Sequence, residues 1–171
     1  MGILASWKAR GVSVVPFKKG PDYIDAGWLA KAAGHPCFNL DPFLMGRGGV
    51  ARSFRQRAGS LSVIEGNRGL FDGINPEGTY SSAELAKTLQ TPLVLVVDCT
   101  KATRTVAALV VGCKAFDPVL DLRGVILNNL AGSRHERVTR EAVEQYGNLP
   151  VFGAVPRLHT SKLPERHLGL L

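Results

Sequence analysis

The sequence predicts an α/β domain with a doubly wound, mostly parallel β-sheet, and two observations lead to this prediction. Short runs of mostly apolar residues recur along the chain at the length of a strand, as in strands buried on both faces. Segments with helical spacing separate these runs, which is the order of elements that produces a parallel sheet. The 171 residues suit one domain with one hydrophobic core.

Five apolar runs are predicted as strands, and each is followed directly by a polar residue or a proline. The last run is weaker than the other four. In chain order, the predicted strands are Val12–Phe17, Leu61–Ile64, Leu93–Val97, Val125–Leu127 and Val151–Val155.

The predicted helices lie between these strands. Ser81 or Ser82 is the expected N-cap of one helix, and Ser133 that of another, with Glu136 completing a capping box. The segment Asp41–Ala58 is predicted as one or two short helices broken around its glycines. The remaining predicted helices are Gly2–Arg10, Ile24–Ala33, Ser82–Leu89, Thr103–Phe116 and Arg134–Tyr146.

The formal net charge of +7 raises the question of nucleic-acid binding. The basic residues are scattered, no Lys/Arg run reaches five, and the few aromatic residues are not interleaved with them. An anionic small molecule, such as a nucleotide or a polycarboxylate, explains the charge at least as well. We therefore predict no nucleic-acid partner.

No apolar run approaches the length of a membrane span, and the first ten residues lack the layout of a signal peptide. We therefore expect a cytoplasmic protein without a membrane partner. The three cysteines, Cys37, Cys99 and Cys113, form no CxxC and are expected to be small buried hydrophobes.

Polar side chains follow each predicted strand. The carboxyl ends of parallel strands meet at one edge of a sheet, where ligands bind in open α/β folds. These side chains are therefore expected to converge as a nucleotide and metal site. The segments concerned are residues 18–23, 65–73, 98–103, 128–129 and 156–157.

Several of these segments carry recognisable motifs. Residues 16–25 read PFKKGPDYID, and residues 63–73 read VIEGNRGLFDG. They resemble the signatures PFKxGPDYID and VEGxxGLxDG of the cobyrinic acid a,c-diamide synthase family. Each match alone is weak, but the joint order is specific and covers nearly the whole chain. Further matches are NLDP at 39–42, AELA at 83–86, LVVD at 95–98, GVILN at 124–128, RHE at 134–136 and PERHLGL at 164–170.

The resemblance implies a P-loop NTPase-like fold, close to dethiobiotin synthetase, and a carbon–nitrogen ligase. Such enzymes use ATP and Mg²⁺ to activate a tetrapyrrole carboxylate as an acyl phosphate, which ammonia from glutamine then aminates. The ammonia comes from a glutaminase domain with a cysteine nucleophile. Residues 1–160 would form the ATP-binding synthetase domain, and residues 161–171 would begin a linker toward the glutaminase domain.

The resemblance assigns roles to residues of the first half of the chain. Glu65 and Asp22 are the expected Mg²⁺ ligands, since Mg²⁺ favours one or two carboxylates together with phosphate oxygens and waters. Lys18 would balance phosphate or acyl-phosphate charge. Tyr23 and Asp72 would orient the substrate carboxylate. Each of these residues also has a purely structural alternative. Glu65 could cap a helix or loop, Asp22 and Asp72 could form turns, and Lys18 could be a solvated surface lysine.

Four further residues are expected near the nucleotide. Gly66 permits close approach of the backbone to a ligand, although a merely tight loop is nearly as good an explanation. Asn128 would read the adenine edge, since an amide both donates and accepts; a capping role is its alternative. Pro156 and Arg157 would lie near the base. In contrast, Lys19 is expected to be a solvated surface lysine, and His135 and His167 to be structural.

No GxxxxGK[ST] motif occurs in the sequence. A strand and a glycine-rich loop normally precede a helix such as Gly2–Arg10 in this class of fold. We therefore expect an incomplete domain, with two neighbouring strands left without a partner. Such a chain would be marginally stable or oligomeric alone, with a homodimer as the expected form, and inactive by itself.

Three alternatives remain open. The residues Asn67, Arg68 and the segment 98–105 resemble sirohaem-amidating relatives, so sirohaem or another isobacteriochlorin is a second candidate substrate. A non-catalytic partition-type or scaffold nucleotide-binding protein would share the fold without needing the GPDYID and GLFDG loops. Binding of tetrapyrrole without any nucleotide dependence would indicate a third reading, a simple binding module.

Overall fold

The computed structural model describes residues 1–158. The predictions that fall on residues 159–171, including the linker and the structural role of His167, lie outside the described residues. The described chain divides into two compact units, residues 1–89 and residues 90–158. Each unit is described below by itself.

The first unit contains four helices and a three-stranded sheet. The strand order is β2-β1-β3, and both pairings are parallel. In chain order its elements are α1 (Gly2–Ala9), β1 (Val15–Lys19), α2 (Tyr23–Ala33), β2 (Phe38–Leu40), α3 (Pro42–Arg57), β3 (Ser62–Glu65) and α4 (Ser82–Leu89).

The second unit contains a three-stranded sheet of order β4-β5-β6, again parallel in both pairings. The predicted α/β class with parallel strands is therefore confirmed. The elements of this unit are β4 (Leu93–Asp98), α5 (Arg104–Phe116), β5 (Leu122–Leu130), α6 (Ser133–Ala142), a π-helical turn (Val143–Gly147) and β6 (Val151–Pro156).

Helices cover both faces of the first sheet, which is the doubly wound arrangement. All five residues of β1 are buried, because apolar side chains meet the strand on each side. One cluster joins the sheet to α3 and α4 through Val15, Phe17, Leu40, Val50 and Leu85. The other joins it to α1 and α2 through Leu4, Val14, Leu29 and Ala33.

The second unit has a core of its own between its sheet and α5, α6 and the π-helical turn. On the other face of this sheet, Val94, Val96 and Phe152 are exposed. The core consists of Val97, Cys99, Val106, Ala107, Val110, Val125, Leu127, Leu130, Ala142, Val143, Leu149 and Val151.

Two features of the first sheet differ from the prediction. The strand β1 begins at Val15 rather than Val12, and it continues through Lys18 and Lys19, which were expected in the following loop. The short strand β2, at Phe38–Leu40, was not predicted. Three residues are too few to show a period, and only the pairing with β1 defines them as a strand.

Helix ends follow local hydrogen-bond chemistry. The Glu84 amide donates to Ser81 Oγ at 3.2 Å, so Ser81 caps α4 as predicted. The prediction for Ser133 is wrong: α6 begins at Ser133, and the Glu136 amide donates to the carbonyl of Gly132 at 2.9 Å. The helix α3 is kinked at Gly46, which has a φ of 63°, close to the predicted break.

No helix within residues 1–158 combines the length and the apolarity needed to cross a membrane.

Candidate functional site

The parallel register of β1 and β3 places Lys18 directly opposite Glu65. Both residues lie at the carboxyl ends of their strands, the edge of the sheet where ligands bind in open α/β folds. Lys18 Nζ lies 3.0 Å from Glu65 Oε1 and donates to the Gly66 carbonyl oxygen, also at 3.0 Å. The structure therefore brings three predicted site residues into direct contact.

A fourth residue completes this cluster. Lys18 Nζ also lies 3.5 Å from Asp25 Oδ2, on the first turns of α2. Lys18 is 3% exposed, whereas the side chains of Asp25 and Glu65 are 24% and 39% exposed. The ammonium is thus surrounded by three oxygen acceptors, and the Glu65 carboxylate reaches solvent from a buried anchor.

Asp22 stands at the N-cap of α2, one residue after the chain leaves the β1 edge through Gly20 and Pro21. Its Oδ1 accepts from the Asp25 amide at 2.9 Å. The Asn39 side chain donates to the Gly20 and Asp22 carbonyl oxygens at 2.7 and 3.0 Å, which ties this loop to β2. Asp22 is therefore a capping residue in this structure, and it lies in the loop that leaves the same sheet edge as Glu65.

The donor chemistry of this edge fits Mg²⁺. A partly exposed carboxylate from Glu65, with a second from the Asp22 loop, matches an ion that takes one or two protein carboxylates and completes its shell with phosphate oxygens and waters. Among residues 1–158, no group of three or more His, Cys, Asp or Glu side chains is arranged to hold a metal by protein ligands alone.

The loop that follows β3 is folded back on itself. The Gly69 amide donates to Asp72 Oδ2 at 2.9 Å, so Asp72 forms the turn that the sequence left as its alternative role. A Cβ added to Gly66 would lie 2.8 Å from Ser82 Oγ. The backbone at Gly66 therefore passes close to the start of α4, which only a glycine allows without a shift.

Tyr23 is 89% exposed, at the first position of α2. Exposure on this scale leaves its ring available to a bound molecule. Its predicted role in orienting a carboxylate stays a prediction.

The prediction that Lys19 is a solvated surface lysine is wrong. Lys19 is 7% exposed, and its Nζ donates to Asn67 Oδ1 at 2.7 Å. Burial is the main factor that lowers the pKa of Lys19 from its ordinary value. The charge of Asp41 opposes this shift, whereas the charges of Lys18 and Arg68 add to it. The reason for the error is that β1 runs two residues further than its apolar pattern.

In the second unit, polar residues collect in the same way beyond the ends of β4, β5 and β6. Asp98 lies opposite Asn128 in the parallel register, and the Arg157 amide donates to the Leu130 carbonyl oxygen at 2.9 Å. A hydrogen bond from the Thr100 hydroxyl is the largest cause of a lowered Asp98 pKa.

The charge of Arg157 contributes to that shift, so Arg157 lies within electrostatic range of Asp98. Pro156 ends β6, where it pairs with Leu130. The structure thus gathers Asn128, Pro156 and Arg157 at one edge of the second sheet. Their roles in nucleotide binding stay predictions.

His135 has the structural role that was expected. Its Nδ1 accepts from the Ala131 amide at 3.0 Å, and its Nε2 lies 2.6 Å from the Ala102 carbonyl oxygen. These partners fix the neutral tautomer with the proton on Nε2, since one nitrogen must accept and the other must donate.

The sequence analysis assigned no role to Asp25 or Asn39, although both lie inside matched motifs. Asp25 shares Lys18 with Glu65, and Asn39 fixes the loop that carries Asp22. Their membership of the PDYID and NLDP motifs was the available signal. The cross-strand contacts that give them a function depend on the tertiary fold.

The thiol of Cys37 leads to a prediction about how the unfolding free energy depends on pH. Burial is the main cause that raises the pKa of Cys37 from 9.0 to about 11; the charge of Glu65 contributes to the rise, and that of Lys18 opposes it. The folded state then holds this proton more tightly than the unfolded chain. The resulting stabilisation is complete below about pH 9 and is lost as the pH rises through about 11.

We therefore expect the difference in unfolding free energy between the wild-type chain and Cys37→Ala to shrink between pH 9 and 11. Urea titrations at pH 7, 9, 10 and 11 measure this difference. The other alkaline groups titrate equally in both chains and cancel. Parallel stability curves over this range would contradict the shift.

Comparison with known proteins gives two findings. A profile of the family described as AAA domain matches residues 51–165. The whole chain is also similar to a cobyrinate a,c-diamide synthase of Magnetococcus marinus, with 50% identity over 100% of this chain and 37% of that relative.

Two further relatives show the same pattern. A hydrogenobyrinate a,c-diamide synthase of Streptomyces coelicolor is 46% identical over 99% of this chain and 35% of its own length. A cobyrinate a,c-diamide synthase of Methanosarcina acetivorans is 41% identical over 100% of this chain and 36% of its own length. The chain thus spans little more than a third of these curated relatives.

Proposed function

Because the chain belongs to the AAA domain family and its relatives are cobyrinate and hydrogenobyrinate a,c-diamide synthases, we propose that it is the ATP-binding part of an enzyme that amidates tetrapyrrole carboxylates. The observation that carries this proposal is the Lys18–Glu65–Gly66 contact at the carboxyl ends of two parallel strands. That contact places a partly exposed carboxylate where α/β folds bind nucleotides and their metal ions.

The proposed reaction proceeds in two steps. A substrate carboxylate oxygen attacks the γ-phosphorus of ATP, ADP leaves with the electron pair of the broken P–O bond, and an acyl phosphate forms. Ammonia, released from glutamine by a glutaminase partner, then attacks the acyl carbon, loses a proton, and expels inorganic phosphate. Mg²⁺, when bound, would neutralise the phosphate oxygens during the first step.

Each residue of the cluster has a part in this proposal. Glu65 and Asp22 would hold Mg²⁺. Lys18 acts through Glu65, because its contact at Oε1 fixes the carboxylate against the end of β1. Asp72 shapes the loop that begins at Gly66. That loop and Tyr23 would border the carboxylate to be activated.

A test of the proposal combines binding with turnover. We expect Glu65→Gln to weaken MgATP binding to the full chain by about tenfold or more, since it removes an anionic ligand from the metal. Calorimetry measures the binding. Release of ADP dependent on cobyrinate, with ammonium as nitrogen source, measures the reaction.

Glu141→Gln is the matched control, because Glu141 lies on α6 and pairs only loosely with Arg137, at 3.5 Å. It makes the same chemical change and should leave binding unchanged. Equal MgATP affinity in wild type and Glu65→Gln would remove Glu65 from the site. ATP turnover that ignores tetrapyrroles would favour a partition-type ATPase instead.

The sequence contains no GxxxxGK[ST] motif, so the titration is repeated on a version with a strand and such a loop added upstream of Met1. Backbone amides of that loop normally hold the phosphates. Binding only to the extended version would mean that the proposed site needs that loop. Comparable binding to both would mean that the Lys18–Glu65 edge suffices.

The identity of the tetrapyrrole is tested by competition. The relatives are named for cobyrinate and hydrogenobyrinate, and these are the expected substrates. Sirohaem and another isobacteriochlorin would be offered against cobyrinate at equal concentration. Preferential amidation of sirohaem would transfer the assignment to the isobacteriochlorin class.

A further inference from the structure

The ammonium of Lys19 has one hydrogen-bond partner among residues 1–158, the neutral side-chain oxygen of Asn67, at 2.7 Å. No carboxylate of these residues lies within 4.0 Å of it. A lysine ammonium has three donors, and a buried charge is costly unless an opposite charge or several hydrogen bonds compensate it. Among residues 1–158, Lys19 therefore has no counter-charge in direct contact.

Neighbouring charges act on this ammonium in both directions. The Asp41 carboxylate favours the charged form of Lys19 from a distance, while its Oδ1 accepts from the amides of Phe43 and Leu44 at the N-terminus of α3. The charges of Lys18 and Arg68 act in the opposite direction, and the charge of Lys18 is shared with Glu65 and Asp25. Lys19 and Arg68 thus place two cationic side chains within electrostatic range of each other.

The Asn67 amide adds a hydrogen-bond donor beside this ammonium. The Asn67 side chain accepts from Lys19 through Oδ1, so its Nδ2 faces away with its two donors. That Nδ2 lies 3.5 Å from the place of a Cβ at Gly20, whose φ is 82°. Within residues 1–158, Asn67 Nδ2 donates to no other group. A cation and an amide donor therefore lie side by side at the end of β1.

We propose that Lys19 and Asn67 form an oxyanion-binding subsite that contacts the substrate or nucleotide of the amidation reaction. This inference rests on the proposed function and extends it to two residues to which no role has been assigned. Both stand at positions that the signatures PFKxGPDYID and VEGxxGLxDG leave unspecified. The ligand group is a carboxylate of the tetrapyrrole or a phosphate of ATP, which share the same oxyanion chemistry.

Two variants of the full chain test the subsite. Lys19→Met removes the charge and keeps much of the buried volume. Asn67→Asp keeps the shape and places a carboxylate 2.7 Å from the ammonium, where it would take the place of the ligand. Lys114→Met, at an exposed position of α5, is the control with the same charge change.

Calorimetric titrations use two probes separately, cobyrinate and MgATP. We expect both variants to lower the affinity for one of the two probes by about tenfold or more, the loss typical of a charged hydrogen bond. Lys114→Met should bind both probes as the wild type does. The probe whose affinity falls identifies the source of the oxyanion. Asn67→Asp should also raise the melting temperature, since it supplies the missing counter-charge.

The rise in melting temperature together with weaker binding separates a binding role from a merely structural one. Wild-type affinity for both probes in both variants would overturn the subsite alone and leave the proposed function standing. If neither the wild-type chain nor the version with the added upstream loop binds either probe, the proposed function and the subsite are overturned together.

Discussion

Replacing Gly73 with alanine is expected to destabilise the chain by about 1–3 kcal/mol, the usual cost of overpacking. A Cβ at this position would lie 2.4 Å from the Gly78 carbonyl carbon, 2.4 Å from the Thr79 oxygen and 2.7 Å from the Thr79 nitrogen. All three are backbone atoms, so no side-chain rotation can make room. The loop from Gly73 to Thr79 must move instead.

That loop is held by its own hydrogen bonds, which the movement would break. The Ile74 amide donates to the Thr79 carbonyl oxygen at 3.1 Å, and the Thr79 amide donates to Asn75 Oδ1 at 2.9 Å. The measurement is urea unfolding of the wild-type and Gly73→Ala chains.

Gly112→Ala is the matched control. Gly112 lies inside α5, and a Cβ there meets no atom within 4 Å. Since glycine inside a helix is less favourable than alanine, this variant should gain about 0.5–1 kcal/mol. The same substitution thus has opposite signs at two positions. A Gly73→Ala chain as stable as wild type would mean that the 73–79 loop is not closed as described.

Replacing Lys18 with methionine has the second large expected effect. Removing one partner of a buried ion pair typically costs ~3–5 kcal/mol, but Glu65 and Asp25 are partly exposed, so about 2–3 kcal/mol is expected here. The two carboxylates lose their shared cation. The Gly66 carbonyl oxygen loses its side-chain donor as well.

A double-mutant cycle isolates the contact. Glu65→Gln in the Lys18→Met background should cost less than Glu65→Gln alone, because the partner charge is already absent. Arg137→Met serves as an exposed control, since its pair with Glu141 is solvated and should contribute at most about 0.5 kcal/mol. Strict additivity of the Lys18 and Glu65 changes would contradict the coupling.

The sequence predicted those elements whose pattern is long enough to repeat. The helix at Ser82–Leu89 was placed to the residue, and α5 was placed within one residue. The apolar runs of the second sheet located β4, β5 and β6, although β5 extends three residues beyond the predicted run at each end. These extensions depend on pairing with neighbouring strands, which a local pattern does not contain.

The site residues that were predicted are those whose type and whose position at the end of an apolar run both indicated a role in a ligand site. Lys18, Glu65 and Gly66 follow or end apolar runs, and the fold brings them together. Lys19 was misjudged because its charge suggested solvent, whereas it pairs with Leu40 of β2 and is buried. Lys19 and Asn67 are 48 positions apart in the chain, so their contact depends on the topology of the fold and not on any local sequence pattern.

The Lys18–Glu65 contact also bears on which alignment of β1 the chain selects. In most half-exposed strands, a slip of one residue is prevented because it would turn the apolar side chains toward water. This protection against slipping is weak in β1, because all five residues of the strand are buried and a slip would turn none of them toward water.

The charged residues at the ends of the strands distinguish the correct alignment from a slipped one instead. A slip of one residue toward the strand start would set Lys18 against Ile64 and remove one carboxylate from the three oxygen acceptors of a lysine that is 3% exposed. The wrong alignment therefore leaves a buried charge less well compensated. The same pair of residues that equips the sheet edge for chemistry thereby favours one strand alignment.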